Sequence, residues 1–215
     1  MAHPRRNPFR PAGGPPAAPS GKLAPVVTPA KREATYRDVL EAPPHLVAEI
    51  LHGDLFLQPR PAAPHAEAAS VLGMLLGNPY RLARGGPGGW VLLDEPELHL
   101  GSHVLVPDLA GWRQVDHPEL DLTTAYFERA PTWVAEVHSP STRTTDRVRK
   151  LPIYAEYGVE FAWLLDPIDR SLEVFRNTEG RWTLLGAYCD DDEVQTEPFE
   201  AVPLPLSELW IASSR

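Results

Sequence analysis

Residues 131–167, PTWVAEVHSPSTRTTDRVRKLPIYAEYGVEFAWLLDP, spell a strand, a helix and a second strand in direct succession. Trp133, Ala135 and Val137 alternate with Val134, Glu136 and His138, the period-two pattern of a strand, so Glu136 and His138 share one face. Ser141 or Thr142 can cap a helix that runs toward Tyr157 and stops at Gly158, a residue suited to the left-handed position past a helix end. Pro152 falls inside that helix. It has no amide proton and crowds the turn before it, which predicts a kink just after Lys150.

Upstream, residues 45–57 carry apolar residues around Gly53-Asp54 and read as two short strands joined at His52-Gly53-Asp54. Residues 64–84 form the clearest helix: Pro64 suits the first turn, Ala68, Val71, Leu72, Leu75 and Leu76 make an apolar face, and Asn78-Pro79 ends or kinks it. Residues 90–115 turn to strand patterning. Alternation there puts Val104, Val106 and Asp108 on one face, with Pro107 marking a strand end or an edge. Residues 161–165, 171–175 and 182–187 predict three further strands, followed by a proline-broken segment. The order predicts an α/β or α+β fold, a mixed sheet flanked by helices.

Composition sets the outer bounds. Residues 1–32 hold 8 of the 25 prolines and six basic residues with no acid, the signature of a disordered tail. One domain is expected over residues 33–215. It carries 14 basic and 29 acidic residues, a formal charge of −15, which disfavours non-specific attraction to phosphate backbones. The basic tail and the cluster Arg143, Arg147, Arg149 and Lys150 work the other way. Cys189 is the single cysteine, which excludes an intrachain disulfide and a cysteine-based zinc cluster and fits a reducing compartment. With no apolar stretch of roughly 20 residues and no secretory h-region, the expected location is the cytoplasm, with no membrane partner.

Lys150 is the only lysine after residue 31, against 13 arginines in residues 33–215. Lysine is a compact charge whose pKa can move, whereas arginine stays protonated, so a lone lysine suits chemistry. Hydrolysis of a phosphodiester needs a cation to offset phosphoryl charge and a water made nucleophilic near neutral pH, and Mg²⁺ serves both needs. It takes one or two carboxylates, commonly with a carbonyl and several waters. Asp108 and Glu136 supply the acids, the carbonyl of Val137 a further ligand, and Lys150 a charge beside the bound water. Mn²⁺ is expected to substitute. Asp146 and Lys150, at i and i+4, also fit a helix-surface ion pair, and His65 at a helix start reads as a cap or surface residue.

Pro107-Asp108, Glu136-Val137-His138-Ser139-Pro140-Ser141-Thr142, Asp146, Lys150, Tyr154, Gly158-Val159 and Leu165-Asp166-Pro167 together resemble the Uma family of restriction endonucleases, a branch of the PD-(D/E)xK nuclease superfamily. The resemblance runs from about residue 36 to 209. It implies a restriction-endonuclease-like core, a divalent metal at Asp108 and Glu136, and a metal-dependent endonuclease acting on nucleic acid, DNA before RNA. In the wider superfamily a lysine stands two residues after the second acid; His138 stands there in this chain, and the resemblance implies that Lys150 on the next helix takes the role. Glu49 matches an acid the family carries before its first strands and is expected to complete the site. Pro152 inside the lysine helix and Phe161-Ala162-Trp163, where the family has an aromatic pair, depart from its pattern. A catalytically silent binding protein on the same scaffold and a metal-dependent hydrolase of another substrate remain the alternatives. The oligomeric state, a homodimer included, is not set by the sequence.

Overall fold

A computed structural model of the chain describes residue 1 and residues 32–211. Of the tail expected over residues 1–32, residues 2–31 lie outside the described residues. After a short helix α1 (Tyr36–Leu40), strands β1 (Leu46–Leu51) and β2 (Asp54–Pro59) form a hairpin in which Leu51 pairs with Asp54. The two residues between them, His52 and Gly53, both have positive φ (52° and 79°), as the tight hairpin turn compatible with strand twist requires.

Helix α2 (Ala63–Leu76) has proline in its first turn, as expected, but it does not simply end at Asn78-Pro79. It widens into a π-helical turn over Gly77–Arg81. Strands β3 (Trp90–Asp94), β4 (Leu98–Leu100), β5 (His103–Leu105) and β6 (Leu109–Arg113) follow. The alternation expected to run from Val104 to Asp108 therefore breaks at Val106-Pro107-Asp108. Proline cannot donate to a ladder, and here the chain leaves one sheet for another, with β5 in a four-stranded sheet (β2-β1-β5-β4) and β6 in a six-stranded one.

The rest of the larger sheet comes from β7 (Trp133–Val137), β8 (Phe161–Asp166), β9 (Ser171–Thr178) and β10 (Arg181–Cys189), in the order β10-β9-β8-β7-β6-β3. Only β7 and β8 pair in parallel, which makes the sheet mixed. The helical run over residues 143–156 bridges them: α3 (Arg143–Thr145), a π turn (Asp146–Lys150) and α4 (Leu151–Glu156). The disturbance expected just after Lys150 thus lies on the Lys150 side of Pro152, as a widened turn. Gly158, at φ 81°, closes the run in the left-handed region. A short pair, β11 (Glu193–Val194) with β12 (Leu204–Pro205), and a 3₁₀ turn (Leu206–Leu209) complete the described chain.

The two faces of the larger sheet bury different cores. One packs Trp133, Ala135, Val137, Trp163 and Leu165 against Ala68, Leu72 and Leu76 of α2 and against Phe199 and Trp210. The other packs Trp112, Val134, Ala162 and Leu164 against Ile153 and Tyr154 of α4 and against Leu51, Leu98 and Leu105 of the smaller sheet. Among the described residues no helix is long and apolar enough to cross a membrane.

Candidate functional site

Where the two sheets meet α4 and the π turn, the second face stops being apolar. Glu136 occupies the inward position on β7 next to Val134 and is 2% exposed, as is Lys150. The Lys150 ammonium lies 2.9 Å from Glu136 Oε1 and 3.0 Å from Oε2, 3.0 Å from Glu49 Oε1, and donates to the carbonyl of Val106 at 3.1 Å. Tyr154, one turn further along the helix, donates its hydroxyl to Glu136 Oε1 at 2.6 Å. Glu49 comes from β1 and is itself held by Gln58 of β2 and by the amide of Val106. Three elements, β1, β7 and the helical run, thus converge on one ammonium group.

Asp108 enters from the segment that changes sheets. Its Oδ2 accepts the Val137 amide at 2.6 Å and its Oδ1 lies 3.1 Å from His65 Nε2. In a strand, the amide and carbonyl of one residue leave on the same edge, so the Val137 carbonyl leaves β7 toward Asp108. A cavity of about 280 Å³ is lined by Glu49, His65, Asp108, Glu136, Asp146 and Lys150, among others. The sequence-predicted residues Glu49, Asp108, Glu136 and Lys150 therefore share one cavity.

The helix-surface reading of Asp146 and Lys150 is overturned: Asp146 is 3% exposed and its Oδ1 lies 4.0 Å from the ammonium. His65, read as a cap or surface residue, is buried against Asp108. Nothing in one sequence distinguishes a histidine in a first helical turn that reaches a strand-end acid from one that faces water. Tyr154 belongs to the family pattern, and its position one turn beyond Lys150 was the signal for its contact with Glu136. The positive cluster expected at the site is largely neutralised. Arg143 pairs with Asp166 and Asp169, Arg147 with Glu173, and Arg149 lies over the Phe56 ring.

Three carboxyl groups, those of Glu49, Glu136 and Asp146, lie within 4.0 Å of one buried ammonium, and Asp108 lines the same cavity, so acids outnumber the cation. Burial raises the Glu136 pKa well above the usual carboxylate range; Lys150 opposes this, while Asp146, Asp108 and Glu49 add to it. Asp146 is pushed up to about 7, chiefly by burial, with Lys150 again opposing. Burial works to lower the Lys150 pKa, but Glu136 and Glu49 outweigh it and hold the ammonium charged. Burial likewise works to lower His65, and the hydrogen bond and charge of Asp108 outweigh it, so its pKa lies above the ordinary value. His138, expected on the Glu136 face, is buried with its Nε2 4.0 Å from Asp146 Oδ2. Burial, then Arg147, lowers its pKa to about 4, so the ring is neutral near pH 7.

Among the described residues no three histidine, cysteine, aspartate or glutamate side chains draw close enough to form a ligand cluster by themselves. A hard cation does not need one, since one or two carboxylates with a carbonyl and waters suffice. The acidic donors Asp108 and Glu136 and the Val137 carbonyl are all oxygens, and the uncompensated charge is of the sign a divalent cation offsets. The donor set fits a hard divalent ion and fits zinc or a soft metal poorly.

A mixed sheet flanked by helices, with an acid-and-lysine cavity at the ends of its central strands, defines a restriction-endonuclease-like fold. Residues 27–207 match the model of the Uma2 family, described as "Putative restriction endonuclease". The chain belongs to that family. A crystal structure of a protein from Anabaena variabilis, described as a putative nuclease belonging to DUF820, shares the fold: the TM-score is 0.66 at 20% identity, over 82% of this chain and 97% of that one. No curated protein matches the chain.

Proposed function

We propose that the protein is a metal-dependent endonuclease of the PD-(D/E)xK type, hydrolysing phosphodiester bonds in DNA, with residues 33–215 as the functional domain. The observation that carries this reading is the burial of Glu136 and Lys150 against each other and against Glu49, on the wall of a cavity that also holds Asp108. An all-apolar arrangement would serve stability as well or better, because buried ion pairs commonly cost as much in desolvation as they return.

A divalent cation such as Mg²⁺, held by Asp108, Glu136 and the Val137 carbonyl, would offset phosphoryl charge and acidify a bound water. The chain's own groups do the rest. Lys150, held charged, places a fixed positive charge on the cavity wall; its three N–H donors go to Glu136, Glu49 and the Val106 carbonyl, and in that state it cannot accept a proton. Glu49 and the Val106 carbonyl hold the ammonium in place, and Tyr154, one helical turn on, fixes the Glu136 carboxyl by donating to its Oε1. Arg143 and Arg147 are paired with acids, and Arg60, the arginine on the cavity wall, faces Glu95, so phosphate attraction falls mainly to the cation and Lys150.

Calorimetric titration of the full chain with Mn²⁺, alongside Glu136→Ala and Asp108→Ala, tests the centre, and nicking of supercoiled plasmid by wild type and Lys150→Ala tests the chemistry. The expected result is one site, lost in both acid variants, with cleavage lost in Lys150→Ala. A wild-type chain that neither binds Mn²⁺ at millimolar concentration nor nicks DNA would sink the proposal. The silent-scaffold reading would then stand, favoured by the engagement of both Glu136 oxygens within the protein.

A further inference from the structure

We infer that His65 is a positioning residue of the site, the side chain that sets how the Asp108 carboxylate faces the cavity; this rests on the metal-dependent reading above. Asp108 sits in the stretch 106–108, which belongs to no strand, and its backbone is tied by the Glu95 amide, which donates to its carbonyl at 3.1 Å, while its side chain depends on other partners. Its carboxylate is held by two donors. One is the Val137 amide, 2.6 Å from Oδ2, and the other is His65 Nε2, 3.1 Å from Oδ1.

The platform behind the imidazole is rigid. His65 stands in the first turn of α2, and the same helix buries Ala68, Leu72 and Leu76 in the aromatic core. A clamp mounted on a core helix aims a carboxylate more narrowly than one mounted on a loop.

The other ring nitrogen makes the role specific. With Nε2 facing Asp108, Nδ1 is buried with no hydrogen-bond partner among the described residues, whichever protonation state the ring holds. Leaving such an atom unsatisfied is unfavourable. Leucine would fill the space without that cost, so packing alone is a poor reason for a histidine here. What the imidazole offers in return is the contact with Asp108. The ring also stands in the wall shared by the 280 Å³ cavity and a second one, of about 450 Å³, that runs along α2, so anything entering either meets the clamp. Outer contacts that orient a ligand group typically change metal affinity 10- to 100-fold when removed.

The test compares Mn²⁺ affinity, by calorimetry on the full chain, in His65→Leu, His65→Asn and His65→Gln, with the thermal midpoint recorded for each. Glutamine places an N–H donor where Nε2 stands; asparagine is polar but too short to reach. About 10- to 100-fold weaker binding is expected in the Leu and Asn variants, with recovery to within a few-fold of wild type in Gln and no parallel loss of thermal midpoint. Wild-type affinity in Leu or Asn, or an equal loss in Gln and Asn, overturns the inference while leaving the proposed function intact. Failure of the wild-type chain to bind Mn²⁺ overturns both. Asn and Gln keep the comparison decisive if Leu does not fold.

Discussion

Trp133 and Glu136 stand three residues apart on β7 and serve opposite faces of one sheet. Trp133 meets the Trp163 ring edge-on at 5.5 Å and Phe199 at 5.0 Å, inside a core made almost wholly of carbon. Glu136 meets an ammonium and a phenol. The first face draws its stability from area removed from water, which does not depend on pH or partner identity. The second keeps charges dry, and that arrangement holds only while each charge keeps its partner. One strand therefore carries both the strongest support of the fold and its most conditional region.

The largest break in the comparison should come from the carbon face. Trp133→Ala is expected to cost about 3–5 kcal/mol of unfolding free energy, and urea midpoints should show the same loss at pH 5 and pH 8. Lys150→Met should cost roughly 3 kcal/mol at pH 8, where Glu136 and Glu49 lose their cation. The loss should shrink at pH 5 as Glu136, whose pKa is raised, takes up a proton, and an equal loss at both pH values would argue that the charged face behaves like the other.

A smaller effect should separate two neighbours within the charged face. Asp146, raised from 3.8 to about 7, favours its protonated form in the folded state, so its stabilisation is complete below pH 4 and disappears as the pH rises through 7. His138, lowered from 6.5 to about 4, has the opposite sense: its contribution is present above pH 6.5 and disappears as the pH falls through 4. Between pH 4 and 6.5 the two slopes oppose. Relative to wild type, stability plotted against pH should tilt upward across that window in Asp146→Asn and downward in His138→Asn, both read from urea midpoints of metal-free protein. Parallel slopes in the two variants would show that the pair does not titrate as described.

Features written in local patterns could be read from the sequence: the hairpin at His52-Gly53, the alternation through β7, the stop at Gly158, the strands after it. The lysine, two of the acids and the fold class followed from spacing and family likeness together. Asp108 was found for a partly wrong reason, since alternation counted through Pro107 assumed a continuous strand where the chain changes sheets. Asp146 was misplaced because an i,i+4 acid and base look the same on a wet helix face and in a dry cavity. His65 lay out of reach altogether, as its meaning depends on a contact 43 positions away along the chain.

The π turn over Asp146–Lys150 has a consequence for length rather than for identity. It spends one more residue than an α-helical turn would between fixed ends, β7 on one side and β8 on the other. A π turn is an α-helix that has taken in one residue, and the wide turn absorbs it so that the flanks keep their phase. Deleting Val148, which is exposed between Asp146 and Lys150, should regularise the turn and leave both side chains facing the cavity as an i,i+3 pair. This stretch should therefore lose a residue more readily than it takes in another.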